Sequence, residues 1–222
     1  MRLFLRLSVL TLLAIASTAL AAPVKVLVWE DLVPRFSEEL KNPFEELELS
    51  RQLELETILW ARSLTEEERG ADDVKAGLED AAAYERELVT IGIDIDKKML
   101  EYEAWQKAVE ERGKQIVPEL EGRPVRLAGY LLPLEFSETG QTEFLLVPYV
   151  GACIHAPVPP PNQIVFVETK QSFKSEELFT AVWVTGTMRT KISSKALSFV
   201  DGTADIPLGY SLEGARVDIY AE

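Results

Sequence analysis

The chain has one cysteine and one histidine, and these two residues, Cys153 and His155, are separated by a single position. In extended backbone, residues two apart point to the same face with Cα atoms roughly 6–7 Å apart, so a sulfur and an imidazole nitrogen can converge on one atom. Thiolate and imidazole are preferred ligands of zinc and copper. The pair therefore predicts a site for one of these two metals.

Two ligands leave a tetrahedral metal site incomplete. A partner protein could supply the remaining ligands, or an acidic side chain of this chain could do so, because carboxylates also bind zinc. The acidic candidates are Glu135, Glu143, Asp201 and Asp205.

A second interpretation makes Cys153 a nucleophile. A neighbouring imidazole lowers a thiol pKa and produces a thiolate, as in thiol hydrolases and acyl transferases, and Asn162 is the candidate for the residue that orients His155. A third interpretation is structural. Cys153 is then buried as a small apolar residue, His155 hydrogen-bonds to loop backbone, and the following prolines only hold two strands together.

The pair lies in a loop between two strand-like apolar runs. Gly151 and Ala152 allow close approach of the backbone before it, whereas the prolines after it fix an extended course and remove backbone donors. We expect a binding surface to be lined by Tyr149, Pro159, Pro160, Pro161, Asn162 and Gln163.

The first residues are typical of a secretory signal peptide. Arg2 and Arg6 precede an apolar run over residues 7–16 and a small-residue exit that ends at Ala21. The run is shorter than the roughly 20 residues of a membrane-spanning helix, and no later segment reaches that length. We therefore predict a leader over residues 1–21, an exported periplasmic protein and no transmembrane segment.

The charge of the chain is strongly negative and unevenly distributed. The formal net charge is −14, and residues 36–122 alone hold 24 acidic and 11 basic residues. Such a chain does not bind nucleic acid through its phosphates, which require Lys and Arg. A solvated helical surface explains the acidity most simply, and attraction of cations or of a basic partner is the alternative.

Helical and strand periodicities divide the chain. Residues 42–113 have helical periodicity that predicts about three helices, with a capping box at Thr65 and Glu68 and a break at Gly92. Upstream, a short extended segment is expected to be anchored by Trp29. The predicted domains are residues 22–118, which hold this segment and the acidic helices, and residues 119–222, which hold the strands.

The strand region predicts the architecture of the second domain. About five strand-like runs, two of them interrupted by glycine, predict a small antiparallel barrel of the oligonucleotide/oligosaccharide-binding (OB) type, and hence an α+β protein. An open antiparallel sheet covered by the helices is the alternative. We expect a turn around Gly209 and Gly214, and a helical turn or flap within residues 193–210.

Five motifs resemble a bacterial family known as domain of unknown function 3299. They are WEDLVP at 29–34, NPF at 42–44, VRLAGYLLPLE at 125–135, FLLVPYVGACIHAPVPPPNQIVFV at 144–167 and VWVTGTM at 182–188. Val158 stands where the usual pattern has another proline. The resemblance spans essentially the whole chain after the leader and implies an exported protein encoded near transporters of the permease-plus-ATPase kind.

These observations favour a non-enzymatic accessory or binding protein of the periplasm. It would handle a transition metal or serve an envelope transporter through the loop that carries Cys153 and His155. A thiol-dependent hydrolase or acyl transferase is the alternative. A binding module would expose aromatic side chains, and the candidates are Tyr149, Phe166 and Trp183.

Overall fold

The computed structural model describes residues 22–134, 140–152, 158–174, 178–199 and 202–220. The strands in this part of the chain are β1 (Lys25–Leu27), β2 (Pro124–Pro133), β3 (Gln141–Val147), β4 (Val165–Phe173), β5 (Thr180–Phe199) and β6 (Gly202–Ile219). The helices are α1 (Leu49–Ser63), α2 (Glu66–Arg69), α3 (Lys75–Thr90) and α4 (Ile95–Gly113). The fold is mixed α+β, as predicted, and the predicted leader lies outside the described residues.

The strands form one six-stranded sheet in the order β1-β2-β3-β4-β6-β5, and β5 also pairs with β2. The five strands from β2 to β6 are therefore joined in a closed cycle. The expectation of an entirely antiparallel arrangement is wrong. β1 runs parallel to β2, and β4 runs parallel to β6. The second parallel pair arises because β5 runs opposite to β4 and the chain then reverses once more into β6. β6 therefore runs in the same direction as β4.

The strands of the cycle bury side chains on both faces at β3. Phe144 and Leu146 belong to the main core, which also contains Leu127 and Tyr210. Leu145 and other alternate residues belong to a second apolar cluster on the opposite face. This double burial explains why β3 is a continuous apolar run rather than an alternating one.

The prediction of a turn or flap between the last two strands is wrong. Residues 193–199 lie in β5 and residues 202–210 lie in β6, the two strands pair with each other there, and both glycines lie within β6. Gly214 has a φ of 59° near a register shift, so it forms part of a bulge. A Cβ at Gly209 would lie 3.0 Å from the carbonyl oxygen of Pro161, so this glycine permits close approach of two backbones.

The structure has four helices in its described part, one more than predicted. The additional helix is α2, a single turn that begins at the predicted capping box. The backbone N–H of Thr65 donates to the Glu68 carboxylate at 2.7 Å, and the Thr65 hydroxyl accepts from the Glu68 backbone N–H at 3.3 Å. Gly92, with a φ of 85°, separates α3 from α4 as expected. No helix in the described ranges is long and apolar enough to cross a membrane.

Candidate functional site

The two residues that carry the predicted chemistry, Cys153 and His155, lie outside the described residues. Two of the candidate acidic ligands, Glu135 and Asp201, lie outside them as well. Within the described ranges, no three His, Cys, Asp or Glu side chains are grouped so that they could hold a metal ion. The metal site stays a prediction.

The remaining two acidic candidates are both exposed on strands. Glu143 lies on β3, where its carboxylate is 3.5 Å from the Lys195 ammonium. That ammonium also lies 3.9 Å from the centre of the Phe166 ring. Asp205 lies on β6 and is exposed. Glu143 would therefore have to exchange an existing ion pair for a metal.

Both flanks of residues 153–157 are attached to the body of the protein. On the N-terminal side, Ala152 is 0% exposed and belongs to the second apolar cluster. On the C-terminal side, Pro159 is buried, and Pro160 packs against the last residue of α4. A Cβ added to that residue, Gly113, would lie 2.5 Å from the Pro160 Cβ. We call residues 159–163 the proline segment. It approaches the end of α4 so closely that only glycine fits at position 113.

Asn162 attaches the proline segment to the end of α4. Its Nδ2 donates to the carbonyl oxygens of Arg112 and Gln115, both at 3.0 Å. The Arg112 carbonyl also accepts from the Gln115 backbone N–H at 3.1 Å, so the amide adds a bond to a carbonyl at the end of α4 and a second bond to the carbonyl of Gln115 just after it. The side chain is 2% exposed, and its Oδ1 has no hydrogen-bond partner among the described residues.

Gln163 extends this attachment to the N-terminal segment. Its Nε2 donates to the carbonyl oxygen of Trp29 at 3.0 Å, and the Trp29 indole N–H donates to the Ala128 carbonyl at 2.9 Å. A Cβ at Gly129 would lie 2.9 Å from the indole and 2.8 Å from the Val147 carbonyl oxygen. The anchoring role predicted for Trp29 is confirmed, and Gly129 makes room for it.

Tyr210 joins the same elements from inside the strand cycle. This fully buried residue donates its hydroxyl to the Leu32 carbonyl at 2.6 Å and accepts from the Val117 backbone N–H at 2.7 Å. Burial raises the pKa of the Tyr210 phenol, and the hydrogen bond from Val117 opposes that shift. Tyr210 was not among the residues singled out from the sequence. The available signal was the alternating apolar run formed by Ile206, Leu208, Tyr210 and Leu212.

The residues predicted to line a binding surface do not share one environment. Tyr149 and Pro160 are exposed, Pro161 and Gln163 are half-buried, and Pro159 and Asn162 are buried. Among the other aromatic candidates, Phe166 is buried in the second apolar cluster and Trp183 is half-buried. The proline segment is therefore largely a structural attachment, of which Pro160 is exposed, and Tyr149 is exposed on the other side of residues 153–157.

Fold and site together define an α+β protein in which a proline-rich loop is clamped between a strand cycle and the end of a helix. The chain belongs to the DUF3299 family of proteins of unknown function, whose family model matches residues 29–219. This match confirms the resemblance seen in the sequence motifs. It extends over the N-terminal segment, the helices and the strands.

A solved structure gives a second comparison. The chain is similar to a DUF3299 family protein from Pseudomonas aeruginosa PAO1, with 25% sequence identity and a TM-score of 0.46. The likeness covers 90% of this chain and 99% of the other. No curated protein matches this chain.

Proposed function

We propose that the chain is an exported, non-enzymatic binding protein that holds zinc or copper through Cys153 and His155 and serves an envelope transporter. The observation that carries the proposal is the attachment of both flanks of this loop. Ala152 is buried on one side, and Asn162 is hydrogen-bonded to the end of α4 on the other. A loop with fixed ends loses less conformational entropy when its ligands gather around an ion.

Two sequence features support the cellular setting. The leader pattern of residues 1–21 supports export to the periplasm, where a thiol without a disulfide partner persists when it is buried or metal-bound. The transporter role rests on the genomic setting expected for the family.

We also propose that the cycle of β2 to β6 is an OB-type barrel, separate from an N-terminal domain that ends near Pro118. Two features support that assignment. Five strands are closed by the β2–β5 pair, and one pair among them, β4 and β6, is parallel. OB barrels use the face of their second and third strands for binding. Those strands are β3 and β4 here, and Ala152 packs against their outer cluster.

The metal proposal is tested by removing each ligand. Cys153→Ser and His155→Ala are each expected to weaken zinc or Cu(I) affinity by roughly 30-fold or more, because each removes one of two soft ligands. Chelator-competition titration of the reduced protein measures the affinity. Glu48→Gln in the helical region serves as the control and should leave it unchanged. Equal affinities in all four proteins would reject the proposal.

One observation favours the thiol enzyme as a second candidate. In Cys-His-Asn sites the amide oxygen orients the imidazole, and the buried Oδ1 of Asn162 is an acceptor without a partner among the described residues. The bonds of its Nδ2 to α4 would hold that oxygen in place. Slow alkylation of Cys153 by iodoacetamide near pH 6 would exclude this candidate.

A further inference from the structure

Helix α1 carries apolar side chains on two opposite faces. Its inner face packs into the helical core through three buried side chains, which are those of Leu55, Ile58 and Ala61. On the outer face, Leu49, Leu53 and Trp60 are 69%, 55% and 38% exposed. Their spacings of four and seven residues place them on one side of the helix, about half a turn from the inner face. We call Leu49, Leu53 and Trp60 the α1 stripe.

Trp60 is held in position by the neighbouring helix. A Cβ added at Gly77 would lie 2.6 Å from the Trp60 ring, so the ring rests directly on the backbone of α3. An aromatic side chain that is supported on one side and open on the other loses little conformational entropy when a partner covers it. Tryptophans in such positions contribute much of the binding energy at many protein interfaces.

The basic side chains of residues 49–75 already have partners within the protein. Arg51, Arg62 and Lys75 form ion pairs with carboxylates. Arg69 donates to backbone carbonyl oxygens. Four exposed carboxylates of the same stretch have no ion pair among the described residues, and they are those of Glu56, Glu66, Glu67 and Asp73.

These unpaired carboxylates lie near the Trp60 end of the α1 stripe. Glu56 is one helical turn before Trp60 on the same side of α1. Asp73 precedes Gly77, on which the Trp60 ring rests, by four residues. The other two carboxylates belong to α2, which Arg69 attaches to a backbone carbonyl in the last turn of α1. Unpaired negative charge and exposed apolar surface therefore occur together.

This charge selects the occupant of the stripe. A second copy of the chain would bring the same unpaired carboxylates into the contact, because a symmetric dimer uses one patch twice. An anionic lipid surface would be repelled for the same reason. A basic segment instead supplies partners that the chain itself does not provide, and opposite charge also speeds encounter.

The length of the stripe indicates the form of that segment. Positions 49 and 60 are about 16 Å apart along the helix axis, at roughly 1.5 Å per residue. Three turns of an amphipathic helix have an apolar face of the same length, and helices pack on each other through such faces.

We propose that the α1 stripe binds a basic amphipathic helix of a partner protein. Its apolar face would cover Leu49, Leu53 and Trp60, and its Lys or Arg side chains would pair with Glu56 and the neighbouring carboxylates. This contact does not depend on residues 153–157. It therefore stands or falls independently of the metal proposal.

The test is an NMR titration of the protein with the acetylated and amidated peptide LKKLLKKLLKKL. The scrambled peptide LLKKKLKLKLLK has the same composition and charge but distributes its leucines around a helix. The amphipathic peptide is expected to shift the Trp60 indole resonance and to bind about tenfold more tightly than the scrambled one, because only it covers the stripe with an apolar face. The peptide LEELLEELLEEL should cause no shift there.

Substitutions on the stripe are compared with matched substitutions on α4. Leu53→Ser should weaken binding of the amphipathic peptide about tenfold, since it removes an apolar contact, whereas Leu100→Ser should not, although Leu100 is 67% exposed. Glu56→Gln should weaken binding about threefold, the usual size of an exposed ion pair. Glu103→Gln, which removes another exposed carboxylate, should leave it unchanged.

Other outcomes would overturn the proposal. They are equal affinity for the two lysine peptides, shifts confined to another surface, or equal losses in the stripe variants and their controls. A Trp60 resonance that moved with protein concentration alone would assign the stripe to a second copy of the chain. If Leu53→Ser fails to give a dispersed spectrum, Glu56→Gln decides, since it replaces an exposed side chain with one of the same shape. An unchanged affinity in that variant would reject the proposed contact.

Discussion

Replacing Asn162 with aspartate is expected to destabilise the protein by about 4 kcal/mol at pH 7, because it buries a charge without a partner. The wild-type amide donates to the carbonyl oxygens of Arg112 and Gln115, both at 3.0 Å. A carboxylate of the same shape would face two acceptors and offer no proton. Urea unfolding at pH 7 measures the loss.

The pH dependence of this loss provides an internal check. Burial among carbonyl oxygens raises the pKa of the introduced carboxyl in the folded state, so the penalty grows as the pH rises above about 4, the pKa of an unfolded aspartic acid. Asn42→Asp is the matched control. The Oδ1 of Asn42 accepts from the Phe44 backbone N–H at 3.0 Å, and a carboxylate can accept the same bond. A loss of equal size in both variants would contradict the assigned roles.

Tyr210→Phe is expected to cost about 3 kcal/mol, because it leaves the Leu32 carbonyl and the Val117 N–H buried without their partner. Those two groups lie 2.6 Å and 2.7 Å from the hydroxyl that the substitution removes. Urea unfolding measures this change as well. Tyr220→Phe is the control, since Tyr220 is 46% exposed and its stacking on the Trp183 ring is retained.

Alkaline pH should reduce the difference between wild type and Tyr210→Phe. Burial raises the pKa of the Tyr210 phenol, so the folded state holds the phenolic proton more tightly than the unfolded chain. Wild-type stability therefore falls as the pH rises above about 10, whereas the phenylalanine variant has no phenol to titrate at this position. A difference that stayed constant through that range would show that the phenol is not buried as described.

The sequence predicted elements that depend on local patterns. Helical periodicity and the capping box at Thr65 located the helices, and alternation around Gly129 located β2. It failed where a residue had two local explanations. Gly209 and Gly214 are typical of turns, yet one permits contact with Pro161 and the other forms a bulge. Only the paired strand and the neighbouring proline segment decide between these roles.

The candidate site likewise has one part that the sequence predicted and one part that it did not. The cysteine and histidine were singled out because each occurs once and they lie two residues apart. The role of Asn162 was not predictable, because its partners, one in α4 and one just after it, precede it by 50 and 47 residues.

The attachment of the proline segment separates two roles that the sequence could not distinguish. Asn162 and Pro159 are buried, so their main effect is on stability. The proposed metal binding depends instead on Cys153 and His155. The substitutions at Asn162 and at Cys153 should accordingly have different effects, the first on unfolding and the second on ligand affinity.

X-ray absorption spectroscopy of the zinc-loaded protein tests the central claim most directly. The account predicts a first shell with one sulfur at about 2.3 Å and at least one nitrogen at about 2.0 Å, with the sulfur absent from Cys153→Ser. Wild type and Cys153→Ser would both be measured at one zinc per chain. A shell of oxygen and nitrogen alone, identical in the two proteins, would contradict the claim that this loop is a metal site.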